Sequence, residues 1–313
     1  MGDLLARLHS FVGTPTGERS AVDHVNLPMI RRYVEAMGDT NPIYVDDRAA
    51  VDSGRGGAVA PPAMLPVWTM GGYRATIDAR PRGDDASRGV FGALADAGFT
   101  LTPGVNITHR YHRELSIGDH LRAEGTIAAV SEEKQTALGP AHFVDLLSMY
   151  RDVDGEVVGE QVLRVVAYNA ASARRDHAAS SAQPDVADGR ETLPPLAITL
   201  DRLGVIACTT ACNDFRAGHY DPDIARAIGM RDIFTDIPTS AGLTARYVTD
   251  WAGPRARLRE LDVALGVPFC AGDTLTLSGF VVERDDSGDV YLEIRGHTEH
   301  GRHIKARAMF ETS

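Results

Sequence analysis

Asn213-Asp214-Phe215-Arg216-Ala217-Gly218-His219-Tyr220-Asp221 and its counterpart Gly38-Asp39-Thr40-Asn41-Pro42-Ile43-Tyr44-Val45-Asp46 decide how this chain is built. Each sets an aspartate five residues ahead of a ring, and the same order of elements follows each copy, so the 313 residues read as an internal duplication. Histidine titrates at about 6.5 and tyrosine at about 10, so only Asp214 and His219 form a pair able to activate water near neutral pH. One working site in a duplicated protein is the expectation.

Outward from the motifs, the halves stay in step. A short helical stretch comes first, Asp46 to Val51 and Pro222 to Gly229. A helix of small residues is expected next. It runs from Ala60-Pro61-Pro62-Ala63-Met64-Leu65 onward in the first half and from Thr239-Ser240-Ala241-Gly242-Leu243 to Trp251 in the second, stopping at Gly253-Pro254. Strands are expected at Val105 to Leu115, His120 to Val130, His142 to Arg151 and Val157 to Tyr168, with counterparts at Leu258 to Val267, Thr274 to Glu283, Val290 to His297 and His303 to Phe310. Gly118-Asp119-His120-Leu121 and Gly272-Asp273-Thr274-Leu275 mark the same turn in each half. Motif to turn is 80 residues in the first half and 59 in the second, which leaves 21 additional positions roughly within Ala79 to Pro103. There Arg80-Pro81-Arg82-Gly83-Asp84 reads as loop.

Residues 169–193 are rich in alanine, serine and charge without apolar periodicity, which makes them a linker between units at 1–168 and 194–313. Helix followed by antiparallel strands, twice over, is an α+β pattern in which each sheet wraps its own helix. Two such sheets can pair edge to edge, leaving a cleft between the halves.

The formal charge of −11 offers no basic surface for a nucleic acid or an anionic membrane, and neither is expected as a partner. No apolar run approaches the roughly 20 residues that span a bilayer, so a soluble, cytoplasmic protein is expected. Cys208, Cys212 and Cys270 lack paired zinc spacing and read as buried thiols. His109 and His112 fall on opposite faces of a strand, so they are not expected to share a metal, and none is assigned. Gly54-Arg55-Gly56-Gly57 lacks the Lys-Ser/Thr end of a phosphate loop. Met64, Trp68, Met70 and Tyr73 read as core, or as the lining of a tunnel.

With the Asp-x4-His motif, the Gly-Asp turn and the Ala-Gly-Leu helix start in hand, the chain resembles the MaoC-like (R-specific, type 2) hot-dog enoyl-CoA hydratases over nearly everything outside the linker. The stretches Arg231-Asp232-Ile233-Phe234 and Arg246 to Pro254 look closest to the catalytic subunit of actinobacterial steroid side-chain hydratases. The first half looks like the acyl-binding unit of their partner subunit, so the two appear fused here. Tyr44 departs from the family's histidine, and Arg216 and Ala217 stand where the family usually has Asn and Pro. The resemblance implies a double hot-dog fold, an acyl-CoA thioester substrate, no separate cofactor, and a homodimer of double hot-dogs. By the same resemblance the catalytic residues are Asp214 and His219, and the Gly242 backbone amide is the oxyanion donor. Arg110 and Arg113 either face solvent or meet the phosphates of CoA. The related steroid hydratases pair with an aldolase through an additional domain for which no residues remain here, so any aldolase is expected to be recruited separately.

Adding water across a 2-enoyl thioester needs a base for the water, a proton source for the α carbon, and donors for the thioester oxygen. Five positions apart, Asp214 and His219 would diverge on a helix, so they are expected on a loop before the Pro222 helix. The alternatives are a dehydratase running the step backwards on a carrier-bound chain, a non-catalytic acyl-CoA-binding protein, and a hot-dog thioesterase.

Overall fold

The computed structural model describes residues 2–77, 86–169 and 189–311. Its strands are β1 (Pro15–Ser20), β2 (Gly104–Tyr111), β3 (Arg122–Val130), β4 (Lys134–Thr136), β5 (Gly139–Arg151), β6 (Val157–Tyr168), β7 (Thr192–Thr199), β8 (Arg257–Leu265), β9 (Thr274–Arg284), β10 (Val290–Thr298) and β11 (Gly301–Glu311). Its helices are α1 (Gly2–His9), α2 (Leu27–Met37), α3 (Asp47–Asp52), α4 (Gly72–Ile77), α5 (Ala86–Asp96), α6 (Arg202–Ala211), α7 (Pro222–Ala227) and α8 (Ile237–Ala252).

All strands pair antiparallel in one sheet of order β1-β3-β5-β6-β2-β8-β11-β10-β9-β7, with β4 appended to β5. Read outward from the centre, each strand of one half holds the same place in the order as its counterpart in the other. The duplication in sequence is therefore a duplication in topology, and the double hot-dog architecture follows from it. The seam is β2 against β8, in register from Asn106↔Ala264 to Arg110↔Glu260. Joining there removes two exposed strand edges. One face of the seam is apolar, with Ile107, Leu261 and Val263 buried, and the other carries Asn106 Nδ2 donating to Asp262 Oδ1 at 2.8 Å.

The expected first-half helix does not form. From Pro61 the chain makes two single 3₁₀ turns, Pro62–Met64 and Val67–Thr69. Pro61, Pro62 and Pro66 remove three amide donors within six residues, and a proline ring clashes with the preceding helical turn, so no α-helix can run through. Both units therefore share α8, which packs under β2 as well as β8 and β11. Thr239 to Ala245 are buried without interruption, which requires a helix apolar or small all round.

Two further departures concern boundaries. Strand β7 begins at Thr192 and Leu193 is buried, so the second unit starts inside the expected linker, whose remainder at 170–188 lies outside the described residues. The additional first-half segment holds helix α5, which with α1 covers a separate small core around Leu8, Leu94, Ile127 and Val144. The Arg80 to Asp84 stretch lies outside the described residues. No helix among the described residues is long and apolar enough to cross a membrane.

The Gly54-Arg55-Gly56-Gly57 stretch has a structural task at the far end of α8. Arg55 is almost fully buried, with Nε 2.9 Å from both Glu114 oxygens; Nη1 donates to the Pro254 carbonyl and Nη2 to the Ala256 carbonyl at 3.2 Å. Arg55→Met should leave Glu114 and two carbonyls short of a donor and cost about 3 kcal/mol in urea unfolding; a loss under about 1 kcal/mol would contradict this reading of the contact.

Candidate active site

Helix α6 ends at Cys212, and Asn213 follows with φ 58°, the one non-glycine residue at positive φ among those described. This left-handed step, tolerated best by glycine and asparagine, turns the next residue off the helix. Asn213 Nδ2 donates to the Val67 carbonyl at 3.2 Å, so the broken first-half segment braces the turn. Asp214 then points inward; its Oδ1 accepts the Arg216 amide at 3.1 Å and starts a turn that ends in the 3₁₀ segment Ala217–His219. Asp221 caps α7 through the Asp223 and Ile224 amides.

The loop brings both sequence-assigned side chains together, with Asp214 Oδ2 and His219 Nε2 3.8 Å apart and both groups buried. His219 Nδ1 lies 2.7 Å from the Phe234 carbonyl, which can only accept, so Nδ1 carries the hydrogen and a neutral ring presents a bare Nε2 toward Asp214. Burial lowers the His219 pKa from its ordinary value, outweighing the opposite pull of Asp214 and the Phe234 carbonyl. Burial alone would raise Asp214, but the charge and hydrogen bonds of Arg216, with His219, hold it below the usual carboxylate range. Arg216 makes a forked contact, Nη2 to Oδ2 at 2.8 Å and Nε to both oxygens at 3.2 Å, while most of its own side chain faces solvent. The result is an ionised carboxylate beside a neutral imidazole. Two acceptors 3.8 Å apart can each take a hydrogen bond from a single water molecule.

Beside the pair lies the amino end of α8. Asp236 caps it, Oδ1 accepting the Thr239 amide at 2.8 Å, and Pro238 contributes no amide. The Ile237 amide has no acceptor among the described residues. Gly242, expected to hold the oxyanion, sits well inside α8, where its amide belongs to the helical ladder. A different constraint accounts for this glycine: a Cβ would lie 2.4 Å from Tyr33 Oη and 3.1 Å from Met37 Sδ, so α2 crosses α8 here. The helix begins at Ile237, ahead of the expected Thr239, and the free donor at its start is Ile237. Asp236 itself was missed, although an aspartate two residues before a proline is a readable helix start. Burial, then the neighbouring Asp214 charge, push its pKa up to about 7.

The profile of the family described as "FAS1-like, dehydratase domain region" matches residues 10–161. A probable enoyl-CoA hydratase alpha subunit of Thermomonospora curvata is 35% identical over 246 residues, 75% of this chain and 77% of that one. The chain belongs to the MaoC-like enoyl-CoA hydratases. Two subunits of one Mycobacterium tuberculosis enzyme, the 3-oxo-4,17-pregnadiene-20-carboxyl-CoA hydratase, are also similar. Its alpha subunit is 40% identical over 50% of this chain, which spans about half of that subunit (49%), and its beta subunit is 41% identical over 36% of this chain and 88% of its own length. A solved MaoC-like dehydratase shares the fold over 98% of this chain and 100% of its own, with a TM-score of 0.76 at 18% identity.

The first-half copy of the motif repeats the backbone without the imidazole. Gly38 (φ 64°) takes the place of Asn213, and Asp39 Oδ1 accepts the Asn41 amide at 3.0 Å as Asp214 accepts that of Arg216. In place of the imidazole stands Tyr44, a buried phenol close to Thr249 and held protonated by burial. This copy faces the later turns of α8, where Arg246 Nη1 donates to the Met37 carbonyl at 2.7 Å, not the helix's free amides. Burial raises Asp39 to about 6.

His109 is buried between Tyr111 Oη and Gln161, and His112 pairs with Glu160 on the outside, so the two do not converge. Arg110 pairs with Glu260, and Arg113 with Asp119 and Asp152. Cys208, Cys212 and Cys270 are buried and free. Met64 and Trp68 are core, whereas Tyr73 is exposed and meets Phe215 edge-on at 5.9 Å. Gly242→Ala should cost about 1–3 kcal/mol of stability by crowding Tyr33 and Met37. If it instead lowers kcat at unchanged stability, Gly242 has a catalytic part after all.

Proposed function

We propose that the protein hydrates a bulky trans-2-enoyl-CoA to the 3-hydroxyacyl-CoA, with Asp214 and His219 holding the water and the Ile237 amide facing the thioester oxygen. The observation that carries the reading is the buried pair of acceptors, 3.8 Å apart, beside the amino end of α8. Water's oxygen bonds to C3 while one of its protons passes to the Asp214/His219 pair; the C2–C3 π electrons move toward the thioester carbonyl, and the pair returns a proton to C2. The helix's positive end and its free amide favour the negative charge that develops meanwhile.

The space for the acyl part favours a bulky one. A groove of about 820 Å³ runs between α2 and α6, lined by Met29, Ala36, Ile206 and Ala207, and reaches Asn213 and Phe215 on either side of Asp214. Both units contribute to it, consistent with a division in which the first holds the tail and the second carries the reacting groups. Similarity to both subunits of a steroid acyl-CoA hydratase supports a substrate of that class. The family profile favours one competing direction, dehydration of a carrier-bound 3-hydroxyacyl chain, which a comparison of CoA with carrier-protein thioesters decides.

Loss of enoyl-thioester absorbance, with crotonyl-CoA, a long straight-chain enoyl-CoA and a steroid enoyl-CoA offered in turn, tests the reading. Asp214→Asn and His219→Ala should each lower kcat by about 10²–10⁴-fold; wild-type rates in either variant would refute the pair. Ala207→Trp should cut kcat/KM for the steroid substrate at least about tenfold and spare crotonyl-CoA, since an indole on the groove wall narrows the path of a bulky tail more than that of a short chain. His219 accepts only when neutral, so activity falls as pH drops through its pKa. Because burial lowers that pKa, the acid limb should lie below the ordinary histidine range of about 6.5; a limb above it would oppose a buried, neutral His219.

A further inference from the structure

We infer that Asp236 acts as a neutral carboxylic acid whose O–H, alongside the Ile237 amide, holds the thioester oxygen of the substrate. This rests on the hydratase reading above and adds a residue to it.

The amino end of α8 is short of donors. Charge developing on a thioester oxygen is stabilised by hydrogen-bond donors aimed at it, commonly more than one. Ile237 offers one amide, Pro238 none, and the Thr239 amide is taken by Asp236 Oδ1; the Ser240 amide goes to the Asp236 carbonyl at 3.2 Å. The other carboxyl oxygen of Asp236, Oδ2, is buried and without a hydrogen-bond partner. As a carboxylate it would place an unsolvated charge beside ionised Asp214, an arrangement that costs both desolvation and repulsion. Protonation removes the charge and converts the bare oxygen into a donor.

The groups facing Asp236 agree with a neutral acid. Asp214 and Arg216 face it from the loop after α6, Cys208 and Cys212 from α6, and Tyr33 from α2. Arg216 is committed to Asp214 by its forked contact. Burial keeps both thiols and the phenol protonated. Asp214 therefore acts as the only full negative charge among them. The two carboxyls divide the work: Asp214, ionised, takes a hydrogen from water, while Asp236, protonated, donates a hydrogen bond to the oxygen. No proton leaves Asp236 during the cycle; its bond tightens as the thioester oxygen gains charge and relaxes once C2 is protonated.

Asp236→Asn preserves both the helix cap and a donor, and Asp236→Ala removes both, so the two variants separate donation from charge. With a steroid enoyl-CoA at about pH 6, the asparagine variant should stay within about threefold of wild type and the alanine variant should lose about 10²-fold in kcat with little change in KM. Wild-type kcat should fall as pH rises beyond about 7, where Asp236 begins to ionise, and Asp236→Asn should lack that alkaline limb. Alanine near wild-type rates, or an identical alkaline limb in wild type and Asp236→Asn, would overturn the assignment. Infrared difference between wild type and Asp236→Asn at about pH 6 should contain a protonated-carboxyl C=O band. Its absence overturns the assignment whether or not the protein turns over any enoyl-CoA. The band without turnover overturns the hydratase reading and leaves a neutral Asp236.

Discussion

Helix α8 is the member on which the rest of the structure depends. It is buried along most of its length beneath the seam of both units, so it must be built from small residues, and each end must be satisfied without water. Asp236 takes the Thr239 and Ser240 amides and leaves that of Ile237 free, and Arg55 takes up carbonyls just beyond the last turn. Gly242 lets α2 cross it closely, and Arg246 reaches from it to the carbonyl end of α2. The candidate site is thus a property of how one helix is fixed in the core.

Sharing one helix accounts for the asymmetry of a duplicated chain. The strand order is mirrored about the β2–β8 seam, and the left-handed step, the aspartate turn and the short capped helix recur in both halves. A helix has one amino end, however, and it serves the Asp214 copy. Prolines 61, 62 and 66 deny the first half a helix of its own, and Tyr44 fills the place of the imidazole. Without an imidazole, the first motif packs against the later turns of α8. The unwound segment gains a different use by bracing Asn213 through the Val67 carbonyl.

Charge placement follows the same economy of buried positions. Asp214 is kept ionised by a mostly solvent-facing arginine, His219 neutral by burial and a carbonyl, and Asp236 is pushed toward its acid form by burial and by Asp214. Three titratable groups packed together are driven to different protonation states by their surroundings, the condition under which acid and base roles separate.

Periodicity, turn markers and a repeated motif were enough to place the four strands on each side of the seam, the duplication, and the Asp214/His219 pair, because these depend on local spacing and on alternation along the chain. The sequence also held readable signals for α2, capped by Asn26 with Pro28 just inside, and for the Asp236 start of α8. By itself, then, it determined which residues have hydrogen-bonding and proton-accepting capacity and which half retains the imidazole. Tertiary structure alone decided that β2 meets β8, that the two halves share a helix, that Gly242 serves a helix crossing, and that Asp236 ends with one oxygen bare. Those outcomes depend on contacts between segments far apart in the chain and on the desolvation that accompanies them, which no local pattern encodes.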